Sequence, residues 1–199
     1  MNRGERARAD ILDAAERLIA ERGIQVPLRD IAVAAGQRNN SAVNYHFRNR
    51  QDLIDAIVRR RLEPMEGERA QMVEALADDA RDDVSAWLRI MVLPLTTVGS
   101  PYYARFLQAA SLHLRTDVDE SQGSVWPKVL ARLAHAIPTG DRGARRRRVK
   151  AIAITMFALL AERERSAQAG DDVGSTEEII AMLAAALTAP MPADETLSL

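Results

Sequence analysis

The residues best suited to chemistry in this 199-residue chain lie close together, between Ile31 and Gln51. That stretch contains no Asp, Glu or Lys, yet it holds Arg38, Asn39, Asn40, Ser41, Asn44, Tyr45, His46, Arg48 and Arg50. An arginine fork can pair with a guanine edge and an asparagine amide with an adenine edge, while serine and tyrosine hydroxyls reach phosphate oxygens. The first 61 residues carry twelve Lys/Arg against eight Asp/Glu, and the remainder fifteen against twenty, so a net charge of −1 hides a basic N-terminal part. An acid-free basic stretch in a nearly neutral chain is a footprint for a polyanion. On charge alone, a plain solvated surface stands beside that reading.

Helices must position these side chains. Aromatic residues make up 4% of the chain, Ala, Leu and Ile are abundant, and alternating β-branched runs are hard to find. Ile11, Ala15 and Leu18, with Leu12 and Ile19 beside them, predict a first helix over residues 5–22, stopped by Gly23. Leu28, Ile31, Ala32 and Ala35 predict a short second helix with Pro27 in its first turn and Gly36 at its end. Residues 37–40, Gln-Arg-Asn-Asn, are turn chemistry. A third helix, capped by Asn40 or Ser41, runs to about Phe47. Asn49 opens a fourth, with Asp52 completing an imperfect capping box and Pro64 kinking or ending it. Helices two and three thus form a helix-turn-helix over residues 28–47, a shape that can lay its second helix in a major groove.

Further helices are predicted over 66–79, 82–98 with a bend at Pro94, 101–115, 124–136, 141–168 and from Thr176 to about Ala189. Residues 116–123 and 170–175 read as connections, and 190–199 as a disordered tail. The chain contains no cysteine, which excludes disulfides, zinc–thiolate sites and cysteine nucleophiles and suits a reducing cytoplasm. Its charged N-terminus lacks the apolar core of a signal peptide, and Val149–Ala161 is too short to span a bilayer. A cytoplasmic protein with no membrane partner is expected.

Residues 11–57 resemble the DNA-binding head of TetR-family regulators. The resemblance is carried by Ile11-Leu12, Ala14-Ala15, Gly23, Asp30-Ile31-Ala32, Gly36, His46-Phe47, Arg50 and Leu53. It implies an all-α fold: an N-terminal three-helix helix-turn-helix domain (1–50) followed by an α-helical ligand-binding and dimerisation domain (51–189). It further implies a regulator, a repressor released from a pseudo-palindromic double-stranded DNA operator by a small-molecule effector. Arg50 resembles the family's phosphate-contacting basic residue at the start of helix four. The family's phosphate-binding tyrosine is divided between Asn44, at its usual place, and Tyr45 beside it. Phe47 is expected in the head's core, and His46 orients the helix. The chain departs from the family at Val26-Pro27, where a Thr or Ser usually caps helix two, and in a Gln-Arg-Asn-Asn turn one residue longer than usual.

The resemblance also implies a homodimer through residues 141–168 and 176–189, whose Val149, Ile152, Met156, Leu159, Leu160 and Ile179, Ile180, Leu183, Leu187 form apolar stripes. Trp87, Met91, Phe106, His113, Trp126 and Met156 are candidate lining for an effector pocket, with Arg89, Arg105 and Gln108 for polarity. The run Arg145–Arg148 with Arg142 and Lys150 reads as a solvated helix start. His113 and Asp117, with Asp119 and Glu120, lack a second histidine at ligand spacing, so no metal is assigned. With no Gly-rich phosphate loop and no Gly-x-Ser-x-Gly elbow, neither an enzyme nor a cofactor is expected. The alternative is a helical ligand-binding or scaffold protein whose head does not bind DNA.

Overall fold

The computed structural model describes residues 2–37, 41–114 and 124–190. Among these the chain is all helical: α1 (Arg3–Arg22), α2 (Leu28–Ala34), α3 (Ser41–His46), α4 (Arg50–Glu74), α5 (Val84–Thr96), α6 (Tyr103–Ala110), α7 (Trp126–Ala136), α8 (Arg142–Ala169) and α9 (Thr176–Thr188), with a 3₁₀ turn over Asp78–Asp82. None of these helices is long and apolar enough to cross a membrane.

Local chemistry sets the boundaries. Asn2 caps α1 in a capping box with Glu5, their side chains bonding each other's backbone N–H at 2.7 and 2.9 Å. Gly23 ends it at φ +84°. Pro27 lies one place earlier than its spacing suggests: it precedes α2, and its carbonyl accepts from the N–H groups of Asp30 and Ile31 at 3.0 and 3.3 Å. A proline has no side-chain acceptor, so α2 has no side-chain cap. The other end of α2 is a Schellman turn. Gly36 takes φ +69°, its N–H bonds the Val33 carbonyl, and the Gln37 N–H bonds the Ala32 carbonyl.

The largest departure from the sequence pattern is α4. Pro64 does not end it, and residues expected in two helices form one 25-residue rod. An interior proline costs about 3 kcal/mol. Ile57 and Val58 before it and Met65 and Arg69 after it are all buried, and tertiary burial of this kind outweighs the local penalty. α5 likewise runs through Pro94, which is itself buried.

Ile11, Leu12, Ala15, Leu18 and Ile19 of α1 meet Ile31 and Ala32 of α2, Val43 and Phe47, and Leu53, Ile54 and Ile57 of α4 in the head's core. The same apolar cluster continues through Trp87, Leu88 and Met91 of α5, Tyr103 and Phe106 of α6, and Met156 and Leu160 of α8 to Leu183 and Leu187 of α9. α1 packs on α6, so the N-terminal helix also forms part of the body's wall.

Candidate nucleic-acid interface

The residues of α3 and the two that follow it present two faces. Val43 and Phe47, four apart, are buried against the head's core. Ser41, Asn44, Tyr45 and Arg48 are exposed, Tyr45 at 85%. An isolated six-residue helix is unstable, so the two buried side chains hold α3 in place. Arg8 of α1 lies 5.2 Å over the Phe47 ring. His46 is half-buried, its ring edge-on to Tyr45 at 5.0 Å and tilted against Phe47 at 6.2 Å. The outward face is therefore polar, aromatic and basic, with no acidic side chain on the helix.

α4 begins beside it. Asn49 caps the helix by accepting from the Asp52 N–H at 2.9 Å, and Asp52 accepts from the Arg48 N–H at 3.1 Å. Arg50, half-buried, donates from Nη1 to the Ile24 carbonyl at 2.7 Å. One end of its guanidinium thus ties the start of α4 to the connection between α1 and α2. Ser41, Asn44, Tyr45, His46 and Arg50 are brought to one end of the head, and Arg38, Asn39 and Asn40 lie outside the described residues.

Sequence reasoning missed a buried polar hub behind this face. Glu16 of α1 is 2% exposed. Arg61 grips its two oxygens at 2.9 and 3.0 Å, Arg60 bonds it at 3.2 Å while also pairing with Asp13 at 2.8 Å, and Ser100 donates its hydroxyl to it. The signal was present, since Glu16 stands four residues after Leu12 and three before Ile19, within the apolar stripe. A charge on a buried face needs partners, and the adjacent Arg60-Arg61 supplies them. Tyr103 lies close enough that burial and the Glu16 charge push its phenol far above its ordinary value.

The six expected pocket residues are spread over α5, α6, α7, α8 and the residues after α6. Trp87, Met91, Phe106 and Met156 are buried in the core, with the Trp87 indole N–H donating to the Arg81 carbonyl at 2.8 Å. Trp126 is half-buried beneath Arg69, whose guanidinium lies 4.6 Å from its ring. His113 is exposed beyond α6, and its carbonyl accepts from Gln51 Nε2 at 2.9 Å. Two cavities lie elsewhere. One of about 540 Å³ separates α1 and α2 from the α5–α6 connection and includes Asp10, Asp13, Glu16 and Arg61. One of about 250 Å³ lies between α5, α6 and α8. None of the six residues lines either cavity.

A second, partly buried ion pair fastens α7. Glu66 of α4 accepts from the N–H groups of Val125 and Trp126 at 2.5 and 3.2 Å, from the Ser124 hydroxyl at 3.0 Å, and from Arg69 at 3.1 Å. Burial lowers the Arg69 pKa, and Glu66 opposes that shift. Among the described residues, no group of three His, Asp or Glu side chains could hold a metal ion; Asp117, Asp119 and Glu120 lie outside them.

Residues 11–57 match the family model for bacterial regulatory proteins of the tetR family. The head is similar to the DNA-binding domain of TetR-family regulators. The TetR-type head thus comprises α1–α3 and the first part of α4. A solved structure assigned as a TetR-family transcriptional regulator from Rhodococcus sp. is similar in fold, at 22% identity and a TM-score of 0.48, over 91% of this chain and 96% of that one. No curated protein matches the sequence.

Proposed function

We propose that the protein is a homodimeric transcriptional repressor that binds a pseudo-palindromic operator and is released from it by a small-molecule effector. The observation that carries this reading is the outward face of α3 and the residue just beyond it, where Ser41, Asn44, Tyr45 and Arg48 are exposed on a TetR-type head with no acidic side chain among them. In the reading, Asn44 meets base edges, Tyr45 and Ser41 reach phosphates, and His46 holds the tilt of α3. Arg50 offers phosphate the guanidinium nitrogens left free by Ile24, and Arg38, Asn39 and Asn40 add further DNA contacts. Residues 1–50 form the DNA-binding domain and 51–189 the effector and dimerisation domain.

Two copies join through α8 and α9. Ile154 and Met182 are 51% and 47% exposed, and Ala151, Ala181, Ala185 and Ala186 are exposed on the same two helices. Alanine-rich apolar faces allow close approach, and a closed two-fold pairing covers both copies at once. Such a dimer presents two α3 helices to successive major grooves, about 34–36 Å apart or at a wider half-site spacing. An effector that prefers the body shape with misplaced heads lowers operator affinity by its difference in affinity for the two shapes. No step is enzymatic, and a cytoplasmic location fits contact with DNA.

Fluorescence anisotropy with DNA from upstream of the gene tests the reading. Binding that tightens as salt falls, and that exceeds binding to random DNA of equal length, is expected. Equal binding to both sequences, or none at low salt, rejects it.

A further inference from the structure

The smaller cavity, between α5, α6 and α8, has apolar walls formed by Leu95, Ala104, Leu160 and Ala167. Most of its polar groups are already engaged. Thr96 donates to the Leu93 carbonyl at 2.7 Å, and Ser100 donates to Glu16. Glu164 accepts from the N–H groups of Ala104 and Arg105 at 2.7 and 3.0 Å, and Gln168 donates to the Pro101 carbonyl at 2.8 Å while accepting from Arg105. Arg163 is the exception. Its Nε is buried without a hydrogen-bond partner, and its guanidinium forms no ion pair among the described residues.

We propose that this cavity binds a small monocarboxylate with an apolar tail, its carboxylate on Arg163 and its tail against Leu95, Ala104 and Leu160. The inference rests on reading the body as an effector domain and names the effector's chemistry. A planar guanidinium matches a carboxylate through two parallel hydrogen bonds. A volume of about 250 Å³ is below the range typical of drug-sized ligands, so the acid is short. Glu164 on the same wall repels a second negative charge, which disfavours phosphate esters and dicarboxylates.

The cavity also has a route to the head. Ser100 and Pro101 line both cavities, and Ser100 is the body's hydrogen bond to Glu16. An acid that shifts the α5–α6 connection pulls on the residue that joins it to α1 and, through Arg60 and Arg61, to α4. Ligand binding and head orientation then share one contact, Ser100 on Glu16.

Calorimetric titration of the full chain with benzoate and hexanoate, against benzamide and hexanamide as neutral isosteres, tests the site without using DNA. Both acids are expected to bind at least about ten-fold more tightly than their amides, since a charge-assisted pair is lost with the carboxylate. Arg163→Gln removes that difference and leaves the ligand-free melting midpoint in place. Ala167→Phe, at an exposed position on the cavity's rim, blocks acids and amides alike, so a folding defect in one variant does not decide the matter. No binding of either acid at millimolar concentration, or acid binding unchanged in Arg163→Gln, overturns the proposal. DNA anisotropy on the same samples separates the two readings. Acid binding through Arg163 in a protein that binds no DNA upholds the site and rejects the repressor, whereas operator binding with no acid preference does the reverse.

Discussion

Arg61 holds both carboxylate oxygens of Glu16, at 2.9 and 3.0 Å, across the seam between α1 and α4. The carboxylate is almost fully removed from water, while the arginines keep 20–27% of their side-chain surface. With Ser100 on the same group, Glu16 joins two helices of the head to the body. Removing the carboxylate leaves Arg60 and Arg61 facing a void, and breaking a fully buried pair costs about 3–5 kcal/mol. Because both arginines can still reach solvent, Glu16→Ala is expected to lose about 2–3 kcal/mol in urea denaturation. A loss below about 1 kcal/mol would place the hub among ordinary surface ion pairs.

Arg50 has a structural duty as well as the proposed phosphate contact, and the two separate experimentally. Arg50→Ala is expected to weaken binding to operator and random DNA by the same factor and to reduce the salt slope by about one. It also leaves the Ile24 carbonyl without its donor, at a cost of about 1 kcal/mol of stability. A stability loss with unchanged DNA binding would assign Arg50 to the fold alone.

Asn44 and Tyr45 are exposed and touch little of the core. Either alanine substitution is expected to shift stability by less than about 0.5 kcal/mol. Asn44→Ala changes which base is preferred at one operator position, at about 1–3 kcal/mol of discrimination. Tyr45→Phe weakens all sequences alike. Competition anisotropy against single-base operator variants reads both effects, and the opposite pattern would exchange the two roles.

Glu164 titrates above its ordinary 4.5 because burial disfavours its charge more than the Ala104 and Arg105 N–H groups and the Arg105 charge favour it. A carboxyl whose folded pKa is raised holds its proton in the native state over a window where the unfolded chain has released it. Stability therefore falls as pH rises from 4.5 through the raised folded value. Denaturation midpoints of the wild type and Glu164→Gln, measured in steps across that window, are expected to diverge, with the wild type losing ground as pH increases. Parallel profiles would contradict the assignment.

The proposed dimer face is tested by placing charge on it. Met182→Asp together with Ile154→Arg is expected to yield a folded monomer by sedimentation, since both side chains are about half exposed in one copy. Operator affinity should fall by far more than ten-fold, because one head reads only one half-site. A dimer that persists with full affinity would move the interface elsewhere.

Much of the fold was legible from residue spacing. The apolar repeat of α1, the glycine stops at Gly23 and Gly36 and the cap at Asn49 depend on interactions within a few residues, so the chain's local order encodes them. The separation of Val43 and Phe47 from Asn44 and Tyr45 has the same origin, a 3.6-residue turn. Pro64 misled because its local penalty is read from sequence, whereas the burial of Met65 and Arg69 that outweighs it is not.

By itself, then, the sequence determined a helical chain with a helix-turn-helix whose outer face is free of acids. Tertiary structure decided which charges meet. Glu16 finds Arg60 and Arg61 at 44 and 45 residues' remove and Ser100 at 84, and Arg50 reaches back 26 to Ile24. Arg163 was left beside a cavity, its Nε without a hydrogen-bond partner among the described residues. Helical periodicity is a property of the backbone repeat, but a charge's partner depends on which helices pack, at what distance and how far from water.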